Sequence, residues 1–381
     1  MSNWDRRYAE QVGLLVEILP TLALEPRFAL KGGTAINLFE RNLPRLSVDI
    51  DLTWLPCGEF AEDSALIAES LNKLAELLRA APLRLQVQTS GAQGAQINRI
   101  IASRGRARVQ IETTPVMRGT VHPTRTMTVQ PAVETEFGFA EAQVLHFADL
   151  YAGKLAATVS RQHPRDLFDI GPFLDHDQLD TELWRTFLVY LTASPKPPAD
   201  LLAPGEPKDF AEIFDQHFRG MTAIPTSADE LLAIRARLLL KMAALLDDAS
   251  CRFLLSVERE TPDFTLIGLP QAATLPAVRR KLDNLNARSD KKREADYRKL
   301  DETLSRLNSD SATQGDACER RPSGIGVPGM ARRIGLDLPV RRRSVAGRER
   351  ASTQPVLRCG ARVSTSCGGG PPEPRLVRYR S

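Results

Sequence analysis

In the run Val48-Asp49-Ile50-Asp51-Leu52, apolar and acidic residues alternate without a break. Only an extended strand sorts them, with Val48, Ile50 and Leu52 on one face and Asp49 and Asp51 on the other. Two carboxylates so placed repel, and each raises the other's pKa unless a cation or strong donors lie between them. A fold that accepts this strand must bury one face, open the other to a cavity and bring positive charge there. Upstream, Lys31-Gly32-Gly33-Thr34 reads as a strand end running into a glycine turn. The two glycines let backbone N–H groups approach a phosphate, and Thr34 adds a hydroxyl and caps a helix over Ala35–Glu40.

A third acid comes from "ARVQIETT", where Val109 and Ile111 alternate with Gln110 and Glu112. Glu112 then projects from the same side as the two aspartates. Carboxylates from neighbouring strands are the hard oxygen ligands that gather Mg2+, or Mn2+ in its place, for phosphoryl and nucleotidyl transfer. Ser47, beside the acidic strand, reads as a strand-entry residue close enough to touch a bound triphosphate.

Around this core the pattern is α/β and then α. Residues 6–19 form an amphipathic helix; Ile67, Leu71, Leu74 and Leu78 mark a second, and Leu83, Leu85 and Val87 a strand. From Ala142 the segments are helical by period and propensity, interrupted by "ASPKPPADLLAPGEP", which reads as a long surface loop. The expected organisation is an α/β lobe over residues 1–141, a helical lobe over 142–308, and a disordered Arg/Gly/Pro/Ser-rich tail over 309–381.

Charge is divided unevenly. From Ser311 onward the chain has 14 Arg, no Lys and five acids, so a whole-chain charge of +4 leaves the first 310 residues at −5. An acidic body excludes nucleic-acid binding over its whole surface and restricts it to a local patch. Lys281, Arg288, Lys291, Lys292 and Arg293 are the best candidates for one. The five cysteines have neither a CxxC pair nor a regular spacing, and the five histidines are too scattered to foresee a metal cluster. With no long apolar run and no signal region, the chain reads as cytoplasmic and free of membrane.

"KGGTAINLF" followed by "RLSVDIDL" resembles the first motif of the AbiEii/AbiGii nucleotidyltransferases, the toxins of type IV toxin–antitoxin and abortive-infection (phage defence) systems, which are similar in fold to the DNA polymerase β superfamily. "VQIETTPVMRGTV" is similar to the family's third-acid strand and "AGKLAATVSRQHPRDLFDI" to its Lys-to-Arg-Asp segment. The resemblance implies an α+β fold, with a nucleotidyltransferase N-terminal lobe of mixed sheet and helices and a mainly α-helical lobe completing the nucleotide cleft. It implies Asp49, Asp51 and Glu112 as metal ligands. Lys154 and Asp166 join them in catalysis, and Lys31, Gly32, Gly33, Thr34, Ser47, Lys154, Arg165 and Asp169 bind the nucleotide, with Arg161 an alternative to Arg165. The implied activity is transfer of a nucleoside monophosphate from an NTP, with Mg2+, to an acceptor hydroxyl at a tRNA 3′ end; protein nucleotidylation and a silent nucleotide-binding module are the rivals. The implied partners are the NTP, the tRNA and a cognate antitoxin that is a DNA-binding autorepressor, with the toxin itself a monomer.

Overall fold

The acidic strand is extended, as its period requires, and lies at the centre of a seven-stranded mixed sheet. The computed structural model describes residues 4–91 and 96–319, with side chains through Ser309. In chain order the elements are α1 (Arg6–Leu22), β1 (Phe28–Lys31), a single helical turn α2 (Gly32–Thr34) running on as a π-helix (Ala35–Glu40), β2 (Asp49–Trp54) and α3 (Phe60–Arg79). There follow β3 (Gln86–Gly91), β4 (Ile97–Arg104), β5 (Ala107–Thr113), β6 (Arg125–Thr128), α4 (Pro131–Phe137) and β7 (Glu141–Val144). The rest is helical: α5 (Phe147–Arg161), α6 (Pro164–Asp175), α7 (Thr181–Thr192), α8 (Pro198–Leu202), α9 (Phe210–His217), α10 (Ala228–Leu245), α11 (Asp248–Glu258), α12 (Pro276–Asn286) and α13 (Asp290–Glu319), with short 3-10 turns at Phe264–Ile267 and Pro270–Thr274.

The sheet order is β3-β4-β5-β2-β1-β7-β6. β2 pairs antiparallel with β1 and parallel with β5, so Lys31 stands opposite Asp51, Asp51 opposite Glu112, and Asp49 opposite Gln110. Paired residues point to the same side of a sheet. The row Lys31, Asp51, Glu112 therefore crosses three strands on one face. The other face carries Leu30, Ile50, Leu52, Ile100, Val109 and Ile111, all buried, beneath α1 and α3. Ile67, Leu71, Leu74 and Leu78 of α3 are buried there, each worth about 1.5–3 kcal/mol of hydrophobic burial. This one-sided helix layer holds the sheet and leaves its acidic face to the site.

Several expected elements take different shapes. The run from Ala142 begins as strand, β7, before α5 starts, because Ala142 and Val144 alternate into the core. The strand expected from Leu83, Leu85 and Val87 starts at Gln86, after Arg84 adopts a left-handed φ of 49°. β4 and β6 carry no alternation strong enough to stand out from sequence. The Pro-rich connection is not all surface loop: Pro198, Ala199, Leu201 and Leu202 form α8 and are buried. α13 runs on to Glu319, past the residue 309 at which the tail is expected to begin; residues 320–381 of that tail lie outside the described part. Among the described residues, no helix is long and apolar enough to cross a membrane.

Candidate active site

Gly32 joins β1 to the helical turn at φ +73°, a conformation that glycine adopts without strain. A Cβ there would lie 2.4 Å from Asp51 Oδ2. The glycine is thus required both by the turn and by the carboxylate packed against it. One position on, a Cβ at Gly33 would meet Ser47 Oγ at 2.8 Å and the Arg45 guanidinium at 2.9 Å. Thr34 is fully buried, and its hydroxyl donates to the Asp49 carbonyl at 2.6 Å, with Ser47 Oγ at 3.1 Å. Thr34 and Ser47 therefore strap the glycine turn to β2. Gly32→Ala is expected to cut activity about 10²-fold, the cost of a misplaced reacting group. Gly105→Ala, also at positive φ but with open space around it, separates backbone strain from crowding; thermal melts and transfer assays on both variants check this.

Burial pushes the Asp49 and Asp51 carboxyls up, and Glu112 adds to it by like charge. The opposing pulls are Arg165 and Arg45 on Asp49, and Lys31 and Lys154 on Asp51. Lys31 is itself pushed down by burial against the pull of Asp51 and Glu112. Glu112 accepts from Gln110 at 2.7 Å and from Arg99 at 3.1 Å. The donor set is three hard carboxylates, two of them destabilised as anions by their surroundings, which is the chemistry that a divalent cation relieves. Asp49, Asp51 and Glu112 are donors of the type a hard divalent cation takes, while the group of three ligand atoms that lies within 4.8 Å among the described residues is that of His122, His146 and Glu182.

Beside the acids lies a buried ionic network. Arg45 clamps Asp169 with two bonds, 2.7 and 2.6 Å, and Lys154 reaches Asp169 at 2.8 Å and Asp166 at 3.0 Å. Arg161 holds the second oxygen of Asp166 at 2.5 Å. Burial alone would raise both aspartates; Lys154 and Arg161 hold Asp166 well below the usual range, and Arg45 and Lys154 do the same for Asp169. The local cause is the break between α5 and α6. Gln162 caps α5 at a left-handed φ of 50°, His163 accepts from the Arg165 N–H, and Pro164 opens α6. The chain reverses within three residues and sets Asp166 against Arg161. Burial and then the neighbouring Arg165 push His163 down to about 4, so it caps as the neutral imidazole.

The two arginines left open by sequence differ in place. Arg161 is taken up by Asp166, whereas Arg165 feels Asp49 and has no ion pair among the described residues. Burial and the nearby Arg45 lower its pKa. Two residues of this network escaped the sequence reading. Arg45 sits in a loop with no periodic signal, and its partner is 124 positions away. Asn37 donates to the Gly33 carbonyl at 2.8 Å and to Asp169 at 3.1 Å, joining the glycine turn to the network.

Two expectations need correction. His122 and His146 are neighbours, with ring centroids 4.8 Å apart, and with Glu182 place three ligand atoms within 4.8 Å of one another. Each ring already has a role: His122 Nε2 meets Thr186 Oγ1 at 2.8 Å, and His146 Nδ1 accepts from the Ala148 N–H. The basic patch at 281–293 is largely taken up by internal contacts, with Lys291 left exposed. Lys281 is buried and donates to the Ser194 carbonyl, Arg288 and Lys292 pair with Asp296, and Arg293 pairs with Glu260.

Comparison with curated proteins gives no match. Among solved structures, MenT4, a nucleotidyltransferase toxin from Mycobacterium tuberculosis, is similar at 17% identity and a TM-score of 0.48, over 74% of this chain and 91% of that one. That likeness is too loose to carry an argument about the site. The family model described as the nucleotidyl transferase AbiEii toxin of type IV toxin–antitoxin systems matches residues 13–284, a span that takes in the acidic row, the glycine turn and the whole ionic network. The chain belongs to the AbiEii family of nucleotidyltransferase toxins.

Proposed function

We propose that this nucleotidyltransferase toxin transfers a nucleoside monophosphate from an NTP, with Mg2+, to the 3′-terminal hydroxyl of tRNA, the hydroxyl giving up its proton and the α–β phosphoanhydride bond breaking to release pyrophosphate, and so arrests translation until a cognate antitoxin opposes it. The observation that carries the reading is the in-register row Lys31, Asp51 and Glu112 with Asp49 on the same face. Held by Asp49, Asp51 and Glu112, magnesium would supply positive charge to the triphosphate and favour the ionised acceptor hydroxyl. The chain's own groups do the rest. Arg165, half-buried and without an ion pair among the described residues, is placed to neutralise a phosphate entering beside Asp49. Lys31, held in a poorly solvated position, offers a second cation at the other end of the row. Asp166, Asp169 and Arg45 fix Lys154, and Lys154 in turn adds its charge next to Asp51. Glycine at 32 and 33 keeps the turn narrow enough for backbone N–H groups to meet phosphate oxygens. Residues 1–141 and 142–308 act as the two jaws of this cleft. The antitoxin is read as a DNA-binding autorepressor, and the toxin as a cytoplasmic monomer.

The test is incubation of the full chain with Mg2+, each α-32P-labelled NTP in turn, and total RNA with lysate protein, beside an Asp49→Asn control. Label is expected in the tRNA band, dependent on Asp49 and abolished by EDTA. Label on protein in its place, or on nothing, overturns the reading.

A further inference from the structure

We infer that the single-stranded 3′ end of the RNA acceptor lies on the open sheet face that continues from the acidic row across β5, β4 and β3. This rests on the reading of RNA as acceptor and adds where it is held. β4 pairs antiparallel with β5 and β3 with β4, so three rows run outward: Glu112, Arg99, Ser90; Gln110, Ile101, Gln88; and Arg108, Ser103, Gln86. These nine positions share the side that carries Asp51. Arg99, Arg108, Gln86, Gln88 and Ser90 are exposed, while Ile100, Ala102, Val109 and Ile111 behind them are fully buried. The face is thus left open where the buried apolar residues of β4 and β5 pack on the other side, against α1 and α3.

Its chemistry suits a polyanion. The rows contain two arginines and one acid, Glu112, and Arg108 has no ion pair among the described residues, in a body whose first 310 residues are net acidic. In the other basic candidate, 281–293, Arg288, Lys292 and Arg293 are engaged in internal pairs and Lys281 is buried, which leaves Lys291 exposed. From Asp51 to Ser90 the row spans three strand spacings, roughly 14 Å at about 4.8 Å each, room for the last nucleotides of a strand whose terminal hydroxyl reaches the acids. No aromatic side chain lies in these rows, so bases have nothing to stack on. Recognition falls to phosphates through Arg108, with Arg99 held by Glu112, and to ribose 2′-hydroxyls through the Gln and Ser side chains. Binding should therefore tolerate changes of sequence and weaken steeply with salt.

The experiment uses the full chain and a short single-stranded RNA ending in 4-thiouridine. Irradiation is expected to crosslink the terminal nucleotide to peptides within residues 86–112. In transfer assays Arg108→Glu with Gln88→Glu should raise the KM for RNA about 10-fold and leave the KM for NTP within about 2-fold, as expected for lost phosphate contacts. The milder Arg108→Ala, which keeps the strand pairing, should lower the slope of log affinity against log salt by about 0.7, the share of one phosphate on a single strand. Transfer to RNA with crosslinks elsewhere, or with an RNA KM and salt slope unmoved in both variants, overturns the inference and leaves the proposed activity standing. Wild-type label on protein alone overturns both.

Discussion

Asp51→Asn is expected to abolish transfer, by at least about 10³-fold, without loss of folding. Asp51 is the middle member of the row, opposite Lys31 on one side and Glu112 on the other. Removing its charge removes the ligand between the other two acids and forfeits the several kcal/mol that a positioned cation supplies to phosphoryl chemistry. The stability change should run the other way. Burial and the like charges of Glu112 and Asp49 raise the Asp51 pKa against the pull of Lys31 and Lys154. A carboxyl whose folded pKa is raised costs stability once pH exceeds its unfolded value, and Asn carries no such cost. The variant's urea midpoint at neutral pH should therefore equal or exceed that of the wild type. An inactive protein that also melts early would mean that the acid is structural; an active one would sink the metal reading.

Asp169→Ala should instead unfold the protein, or nearly so, with a loss of about 3–5 kcal/mol. Lys154 keeps Asp166 after the change, but Arg45 is left buried with the Leu46 carbonyl as its one remaining acceptor among the described residues. A stranded guanidinium at 3% side-chain exposure is a large fraction of the 5–15 kcal/mol that holds a typical domain together. Combining Asp169→Leu with Arg45→Met removes both charges and should recover most of the urea midpoint, a coupling that a double-mutant cycle reads directly. The pH dependence has a defined sign. Asp169 and Asp166 are both held below their ordinary value of 3.8, so their stabilisation is fully present above that pH and is lost as pH falls beneath it. Acid unfolding of Asp169→Ala should lack its share of that loss.

The acidic strand and the glycine turn were legible because their signals are local. Alternation over five residues decides which way Asp49 and Asp51 point, and a Gly-Gly pair next to a strand end announces a turn that a Cβ would block. Glu112 was legible for the same reason, from Val109 and Ile111. The helical second part was legible in outline but not in its joints. The α10/α11 segment reads as one continuous helical run, yet the chain breaks at Leu246 and Asp247, where Asp247 caps the new helix. β7 was read as helix because Ala142, Val144 and Leu145 satisfy either period over so short a stretch, and only pairing with β1 and β6 decides the matter.

Lys154 shows the limit most clearly. On sequence alone it is a lysine on an amphipathic helix, indistinguishable from a solvated one; in the fold it is buried between Asp166 and Asp169. The supposed basic patch erred in the opposite direction, since Lys281 looked free and is buried against carbonyls of Ser194 and Lys196. Charge on a helix says nothing of its partners until the helices are packed.

By itself the sequence determined the two carboxylates on one face, the glycines beside them, the third acid and the family, all properties of short segments whose backbone period sets side-chain direction. The tertiary structure alone decided that Lys31, Asp51 and Glu112 stand in register, that Arg45 closes on Asp169, that Arg161 and not Arg165 is tied to Asp166, and that the sheet face beyond Glu112 stays open. Those depend on strand pairing and on contacts between residues far apart in the chain, where the energy of an ion pair comes from exclusion of water and no local pattern records which groups will be excluded together.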